Sequence, residues 1–200
     1  TVDGAGGGTG MSPWRMMNEW GVPTVELHSL LYFYCKQLAD KGHYVPALAL
    51  AGGFTFEDQM FKGLALAAPF AKLIGMARGP IAATMVGKTI GKAIEANQLP
   101  VYVERFGNKI DEIFVTAAHL RKELGNDEFD KIPPGAIGLY TYYERLAQGL
   151  RQLMCGSRKF KLDLITRNDI ACLTKEAADI SGIKYIMDVD KEEVESILNM

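Results

Sequence analysis

The chain has 200 residues, of which 48% are hydrophobic and 23% are charged, and its formal net charge at pH 7 is −2. This content is sufficient for one hydrophobic core with a small appendage. The nearly balanced charge excludes the strongly basic surface that is typical of proteins bound to nucleic acid or to anionic membranes. No apolar stretch reaches 18 residues without a polar residue or glycine, so the sequence predicts no transmembrane helix.

The three cysteines are odd in number and far apart in the sequence, at Cys35, Cys155 and Cys172. This spacing indicates neither a disulfide framework nor a cluster of metal ligands. We therefore predict no metal site, and a cytoplasmic protein whose thiols stay reduced. The chain begins at Thr1 with what resembles the end of a strand, so we expect it to be a processed or truncated piece of a longer protein.

The first thirteen residues, TVDGAGGGTGMSP, contain five glycines. A loop of this composition can adopt positive φ angles and lets a ligand approach the backbone closely. Ser12 and Pro13 are typical of the first positions of a helix, and we predict a short helix from Pro13 to Trp20.

The segment Val22–Leu27 predicts a second strand, followed by an aromatic-rich helix over Ser29–Lys41. Pro23 lies at the beginning of this strand, where its missing N–H group is tolerated. Glu26 and His28 would then lie at the carboxyl end of a strand, where α/β barrels place their chemistry. These two residues are the candidate catalytic residues.

Two short apolar runs, Ala47–Ala51 and Phe70–Ile74, predict buried strands of a parallel sheet because each is brief and ends in glycine. Gly52 and Gly53 follow the first run, and Gly75 follows the second. We expect each glycine turn to open a helix, whose free N–H groups favour an anion such as a phosphate. The alternative is an ordinary βαβ unit whose glycines only form turns.

This repeated strand–helix pattern predicts a parallel α/β architecture, interpreted as the C-terminal half of a (β/α)8 TIM-type barrel over residues 1–100. After Pro100 the pattern becomes helical, which predicts a helical extension over residues 101–200 that packs on the barrel. Thr166 and Asp190 resemble N-caps. The predicted helices of this extension are Tyr102–Leu124, Leu139–Met154, Arg167–Ser181 and Lys191–Leu198.

The order of motifs resembles one known family. Gly-Gly-Thr-Gly-x-Ser-Pro over Gly7–Pro13 is followed by Glu26-x-His28, by Gly52-Gly53 and by Lys62-Gly-Leu-Ala-Leu. In this order the motifs resemble the FMN-binding domain of glutamate synthase. The tail from IPPGAIGLYTYYERLAQGLRQLM onward resembles the short, single-domain archaeal and bacterial members of that family, so the resemblance covers nearly the whole chain.

The resemblance implies an FMN-dependent barrel enzyme that forms glutamate from 2-oxoglutarate and ammonia through 2-iminoglutarate, with hydride from reduced FMN. It places the beginning of the chain at the end of barrel strand 5. The loop beside the flavin and the substrate would be Gly7, Gly8, Thr9 and Gly10. The residues that would cradle the FMN phosphate are Gly52, Gly53, Gly75, Met76, Ala77 and Arg78.

The sequence departs from that family in ways that change the expected partners. No cysteine occurs between Cys35 and Cys155, so we expect the iron–sulfur centre of the full-length enzymes to be absent. No amidotransferase domain is present in the sequence, so ammonia would be free or delivered by another chain. Electrons would come from a donor such as a ferredoxin or an NAD(P)H-linked subunit.

Two other functions remain open at this point. One is a different FMN barrel enzyme, such as a type 2 isopentenyl diphosphate isomerase, which is similar over the same phosphate-binding segments. The other is a non-catalytic barrel fragment that acts through assembly. Because half of a barrel exposes strand edges and an apolar interior, we expect a homo-oligomer or a complex with the missing N-terminal half.

Overall fold

The computed structural model describes residues 1–8 and 11–200. The chain divides into two compact units, one formed by Thr1–Met76 with Leu150–Met200 and the other by Ala77–Gly149. The helices of the described residues are, in chain order, α1 (Trp14–Asn18), α2 (Thr24–Asp40), α3 (Glu57–Leu66), α4 (Arg78–Glu95), α5 (Val101–Glu104), α6 (Ile110–Ile113), α7 (Ala117–Leu124), α8 (Asn126–Phe129), α9 (Pro134–Gly156), α10 (Lys175–Ser181) and α11 (Lys191–Leu198), with 3-10 helices at Leu162–Leu164, Arg167–Asp169 and Ile186–Asp188.

The first unit contains a parallel sheet, to which the described residues contribute three strands in the order β1 (Val2–Asp3), β2 (Leu48–Ala51) and β3 (Ala71–Ile74). Val2 pairs with Leu50 in the register between β1 and β2. The strands predicted at the two apolar runs are confirmed as β2 and β3. Their glycine-flanked apolar sequences suit strands that are covered by helices.

The helix α3 connects β2 to β3 and covers the sheet with its apolar side. Leu48 and Leu50 of β2 are buried in one cluster with Phe61 and Leu64 of α3. Ile165, from the C-terminal part of the chain, is buried in the same cluster. The C-terminal segment therefore contributes to the core of the sheet unit, although it follows that sheet by about 90 residues in the sequence.

The strand predicted over Val22–Leu27 is wrong, because this segment holds the first turn of the helix α2. Pro23 is the N-cap of this helix, with a φ of −54°. A proline is tolerated at the beginning of a helix, where no helical partner exists for its missing N–H group. His28 and Cys35 are buried on the same face of this helix, at the i, i+7 spacing of two helical turns.

The predicted half-barrel is also wrong. It requires four successive strand–helix units, whereas the residues that the structure describes form three strands, and β1 and β3 each pair with β2 alone. The missing strand is the segment that forms the beginning of α2. The chain is instead mainly helical, and its described residues form a small parallel sheet with an α/β connection between β2 and β3.

The second unit is helical and has its own core, in which Ile90 of α4 is buried with Val103, Phe114 and Ile137. The single helix predicted over Tyr102–Leu124 is wrong, because the chain breaks it into α5, α6 and α7. The first break lies at Gly107, whose φ of +122° is incompatible with a right-handed helix. The carboxylate of Glu112 then accepts hydrogen bonds from the N–H groups of Asn108 and Lys109 and starts α6.

The C-terminal helices agree with the prediction in part. The helix Lys191–Leu198 is confirmed, and α9 includes the predicted helix Leu139–Met154. The helix predicted over Arg167–Ser181 is instead a 3-10 turn followed by α10. Asp169 accepts a hydrogen bond of 2.7 Å from the N–H group of Thr166 and closes that turn. None of the helices in the described ranges has the length and apolar character needed to cross a bilayer.

Candidate functional site

Glycine follows each of the three described strands, at the edge of the sheet where parallel strands end. Gly4 follows β1, Gly52 follows β2 and Gly75 follows β3. The N–H group of Gly4 donates to the carbonyl oxygen of Ala51 at 3.1 Å, and that of Gly75 donates to Leu50 at 2.7 Å. The carboxyl edge of a parallel sheet is where α/β proteins place their ligands. This edge is therefore the first candidate for a site.

Thr24, the first residue of α2, joins two of these glycine loops. Its hydroxyl oxygen lies 2.9 Å from the carbonyl oxygen of Ala5 and 2.9 Å from that of Gly52. A hydroxyl group has a single proton, so the Thr24 hydroxyl group shares that proton between the two carbonyl oxygens. The loop after β1 and the turn after β2 are consequently held by the same side chain.

The turn after β2 requires glycine at two consecutive positions. Gly52 has a φ of +120° and Gly53 a φ of +78°, both in the region that side chains disfavour. A Cβ atom on Gly52 would lie 2.5 Å from the Thr24 hydroxyl oxygen and 2.8 Å from the Gly4 nitrogen. Neither contact is sterically allowed, so the close approach of the two loops depends on this glycine.

The same turn presents backbone donors that the fold does not use. The N–H groups of Gly52, Gly53 and Phe54 donate to no residue that the structure describes. Successive free N–H groups in a turn of this kind form a concave site for an anion. The turn after β2 is therefore able to bind a phosphate or a carboxylate through its backbone.

The helix α3 contributes less to such a site than the sequence predicted. It begins at Glu57, four positions after Gly53, and the side-chain oxygen of Gln59 accepts the N–H groups of Thr55 and Phe56 at 2.8 and 3.1 Å. Its first turn carries two carboxylates, which oppose an anion at this terminus. The free donors of this loop therefore belong to the glycine turn rather than to the helix.

His28 lies beside the glycine turn but is not exposed to solvent. Its side chain on α2 is 1% exposed, and its ring stacks on that of Phe54 with centroids 5.9 Å apart. Burial lowers the pKa of His28 below its ordinary value of 6.5, against the opposing effects of the Ala51 and Val2 carbonyl groups and the Asp3 carboxylate. Its Nε2 atom has no hydrogen-bond partner among the described residues. His28 is therefore an uncharged ring near pH 7.

The other predicted catalytic residue and the N-terminal loop residues are placed differently. Glu26 lies in the first turn of α2 and is partly exposed. The N–H group of Gly7 donates to the carbonyl oxygen of Gly4 at 2.9 Å, which makes a tight turn. Gly8 is exposed and has a φ of +118°. The predicted ligand contacts of Thr9 and Gly10 lie outside the described residues.

The second predicted phosphate segment follows β3 and lies where the two units divide. Gly75 and Met76 are the last residues of the first part of the sheet unit, and Met76 packs on its core. Ala77 is the N-cap of α4, and Arg78 is the exposed first residue of that helix, both within the other unit.

A cavity of about 530 Å³ lies within the sheet unit next to the glycine turn. Its walls come from α2, from the Gly52–Gly53 turn, from α3 and from residues 170–183, and they include His28, Phe54, Gln59 and Lys62. The size is within the range of small-molecule sites. Sequence reasoning did not identify Thr24, Phe54 or Gln59, although Pro23 is also compatible with the beginning of a helix at Thr24.

The described residues contain no group of three or more His, Cys, Asp or Glu side chains able to hold a metal ion. No protein-family model, curated protein or solved structure matches this chain. The candidate site is therefore defined by its own geometry: a glycine turn with free N–H groups, tied to α2 by Thr24 and bordered by a buried neutral histidine.

Proposed function

We propose that the protein binds FMN and that the Gly52–Gly53 turn holds the phosphate group of this cofactor. The observation that carries the proposal is the run of free N–H groups at Gly52, Gly53 and Phe54. Charge-assisted hydrogen bonds from backbone N–H groups are among the stronger interactions available to a phosphate. The glycines at 52 and 53 allow the positive φ angles of this turn, which no residue with a side chain adopts easily.

The proposed reaction is that of the resembled family: reductive formation of glutamate from 2-oxoglutarate and ammonia. FMN, when bound and reduced, supplies the hydride. The residues of this chain bind the phosphate and hold the two glycine loops together through Thr24. Glu26 and His28 remain the candidates for proton transfer in this proposal. Gly75 and Met76, in the same unit as this turn, remain candidates for additional phosphate contacts.

The partners in this proposal follow from the same resemblance. Ammonia is free or delivered by another chain, and a donor protein of the ferredoxin or NAD(P)H-linked type reduces the flavin. A second copy of the chain, or another chain that completes the cofactor site, is part of the proposed assembly.

The first test compares the binding of FMN with that of riboflavin, which has the same ring system and no phosphate. We expect FMN to bind on the order of 100-fold more tightly, as two or more charge-assisted hydrogen bonds would provide. The variant Gly53→Ala should lose most of this difference. The variant Gly42→Ala, at a glycine of positive φ with open space around it, is the matched control. Equal affinities for FMN and riboflavin would contradict the proposed phosphate site.

The second test supplies the FMN-loaded protein with 2-oxoglutarate, ammonia and a chemical reductant. We expect glutamate as the product, detected by amino-acid analysis and dependent on all three additions. Double-bond migration of isopentenyl diphosphate, without glutamate formation, would replace the proposed reaction by that of the isomerase. If FMN binds and neither product forms, the cofactor proposal stands and the synthase proposal fails.

A further inference from the structure

We propose that the 530 Å³ cavity beside the glycine turn binds a small monocarboxylate with an apolar body. The proposal concerns the chain without FMN, and it rests on the walls that α2, α3, the Gly52–Gly53 turn and residues 170–183 form around this cavity. All of these walls belong to the sheet unit.

The body of the cavity is apolar. Its walls include the rings and aliphatic side chains of Phe54, Leu66, Ile170 and Ile183, together with the backbone of Gly63. Phe54, Leu66 and Ile183 are each less than one-tenth exposed, so they are fixed by the surrounding core. Apolar walls of this kind favour a ligand whose own surface is largely apolar.

Most of the polar groups around the cavity already have partners within the protein. The Ser181 hydroxyl donates to the Ala177 carbonyl oxygen at 2.6 Å and accepts from the Ile183 N–H group at 3.2 Å. The Thr24 hydroxyl donates to the carbonyl groups of Ala5 and Gly52. These groups need no ligand to satisfy them.

Two side chains of α3 that line the cavity retain hydrogen-bonding capacity, and both are donors. The side-chain oxygen of Gln59 accepts two backbone N–H groups, which leaves its NH2 group without a partner among the described residues. The ammonium group of Lys62 donates to Asp58 at 2.7 Å and has two further protons. Lys62 and Asp58 are both about half exposed or more, and an ion pair of this kind is weak enough to be rearranged.

Two neighbouring donors, one of them positively charged, are complementary to the acceptor oxygens of a carboxylate. His28 also borders the cavity, but its Nε2 atom is closed to water and takes no part in the proposed binding. The apolar walls favour a ligand with an apolar body. We therefore expect 2-oxoglutarate, which is short and carries two charges, to bind more weakly than a monocarboxylate with such a body.

The test is calorimetric titration of the full chain, without FMN, with 3-phenylpropanoate, with its neutral analogue 3-phenylpropan-1-ol and with 2-oxoglutarate. We expect one 3-phenylpropanoate to bind per chain, more tightly than the alcohol by about tenfold. We expect 2-oxoglutarate to bind more weakly than 3-phenylpropanoate in this experiment. The absence of saturable 3-phenylpropanoate binding at millimolar concentration would overturn the proposal, and so would equal affinity for 2-oxoglutarate.

Two variants locate the bound molecule. Lys62→Met should reduce the affinity for 3-phenylpropanoate about tenfold and leave that for the alcohol within about twofold, because only the carboxylate uses the ammonium group. Lys36→Met is its matched control, because Lys36 forms the same i,i+4 pair with Asp40 on α2, away from the cavity walls. An equal loss in the two variants would overturn the assignment.

Ala177→Leu extends a wall residue into the cavity and should weaken both ligands about tenfold, whereas Ala178→Leu, at the next position of α10, should not. Thermal unfolding of both variants shows whether they retain the fold. If Ala177→Leu does not fold, the Lys62→Met comparison decides the question. Because no FMN is present, failure of these tests leaves the FMN proposal unaffected, and failure of FMN binding leaves this proposal in place.

Discussion

The hydroxyl oxygen of Thr24 lies 2.9 Å from the carbonyl oxygen of Gly52, so the first residue of α2 is tied to a turn that follows it by 28 residues. The same hydroxyl lies 2.9 Å from the carbonyl oxygen of Ala5 in the loop after β1. One side chain thus sets the distance between the two glycine loops at the carboxyl edge of the sheet. The glycine turn that offers the free N–H groups depends on this contact for its position.

The Thr24 contact predicts different effects for two substitutions. Thr24→Val has a similar shape but no hydroxyl group, and it should lower the free energy of unfolding by about 1 kcal/mol. It should also speed amide exchange at Gly4 and Ala5, whose N–H groups donate to the carbonyl oxygens of Ala51 and Val22 in the loop that this hydroxyl group holds. Thr24→Ser retains the hydroxyl group and should retain slow exchange. Urea denaturation and hydrogen exchange measure the two effects, and a valine variant that matches the wild type in both would contradict the proposed role.

Gly52→Ala should be among the more damaging substitutions in the chain. The added Cβ atom would lie 2.8 Å from the backbone nitrogen of Gly4, and the φ of +120° is strained for alanine. We expect a loss of about 3 kcal/mol in the free energy of unfolding from strain and overpacking together. Gly42→Ala shares the positive φ but meets nothing within 4 Å, so it should lose only about 1 kcal/mol. Equal losses would show that crowding at Gly52 is not significant.

Arg167 should stabilise the sheet unit through contacts that lysine cannot reproduce. Its guanidinium group donates to the carbonyl oxygens of Leu66 and Ser181, the last residues of α3 and α10, and lies 3.7 Å from the centre of the Tyr32 ring. Burial lowers the pKa of Arg167 from its ordinary value, although the group stays charged.

Arg167→Lys keeps the charge but loses the two-pronged geometry and the stacking on Tyr32. We expect the free energy of unfolding to fall by about 2 kcal/mol. Arg151→Lys, at an exposed position of α9, should stay within about 0.5 kcal/mol of the wild type. Chemical denaturation measures the free energy of unfolding of both variants. An Arg167→Lys protein with the free energy of unfolding of the wild type would show that lysine can replace these contacts.

The buried ring of His28 predicts a loss of stability in acid. Its pKa lies below 6.5 in the folded protein because burial disfavours the charged ring. The unfolded chain therefore takes up this proton at a higher pH than the folded chain, so the free energy of unfolding falls as the pH decreases from 6.5 toward the folded pKa. An NMR titration of the His28 ring protons reports this folded pKa. A value above 6.5 would contradict the assignment of burial as the dominant effect.

Sequence reasoning succeeded where a segment has one strong local signal. The apolar runs that end in Gly52 and Gly75 predicted β2 and β3, and Gly52-Gly53 predicted the turn after β2. The helix over Lys191–Leu198 was predicted with its exact bounds. These elements carry their own start and stop residues, so their prediction did not depend on tertiary contacts.

Sequence reasoning failed where two periodicities fit the same few residues. The segment Val22–Leu27 is too short to separate an alternating pattern from the first turn of a helix, and Pro23 is tolerated at the start of both. The helical spacing becomes clear only when His28 and Cys35 are included. This single error supplied the fourth strand and with it the half-barrel. In the second unit, the Gly107-Asn108 pair was a turn signal that the apolar spacing of Tyr102–Leu124 outweighed.

The candidate site was predicted only in outline. Gly52 and Gly53 were identified from the sequence. Three other features depend on three-dimensional contacts: the unused N–H groups of the turn, the hydrogen bond from Thr24, and the two N–H groups that donate to Gln59. The N–H groups were expected at the start of α3, where Gln59 and two carboxylates are found instead. Sequence spacing gives no information on which donors a side chain will occupy.

The most direct measurement of the central claim is an NMR titration of the ¹⁵N-labelled protein with FMN, followed through the backbone amide signals. We expect the amide signals of Gly52, Gly53 and Phe54 to shift most and to saturate together, and riboflavin at the same concentration to leave them in place. Saturable FMN binding without any shift at these three amides would contradict the claim that this turn holds the phosphate.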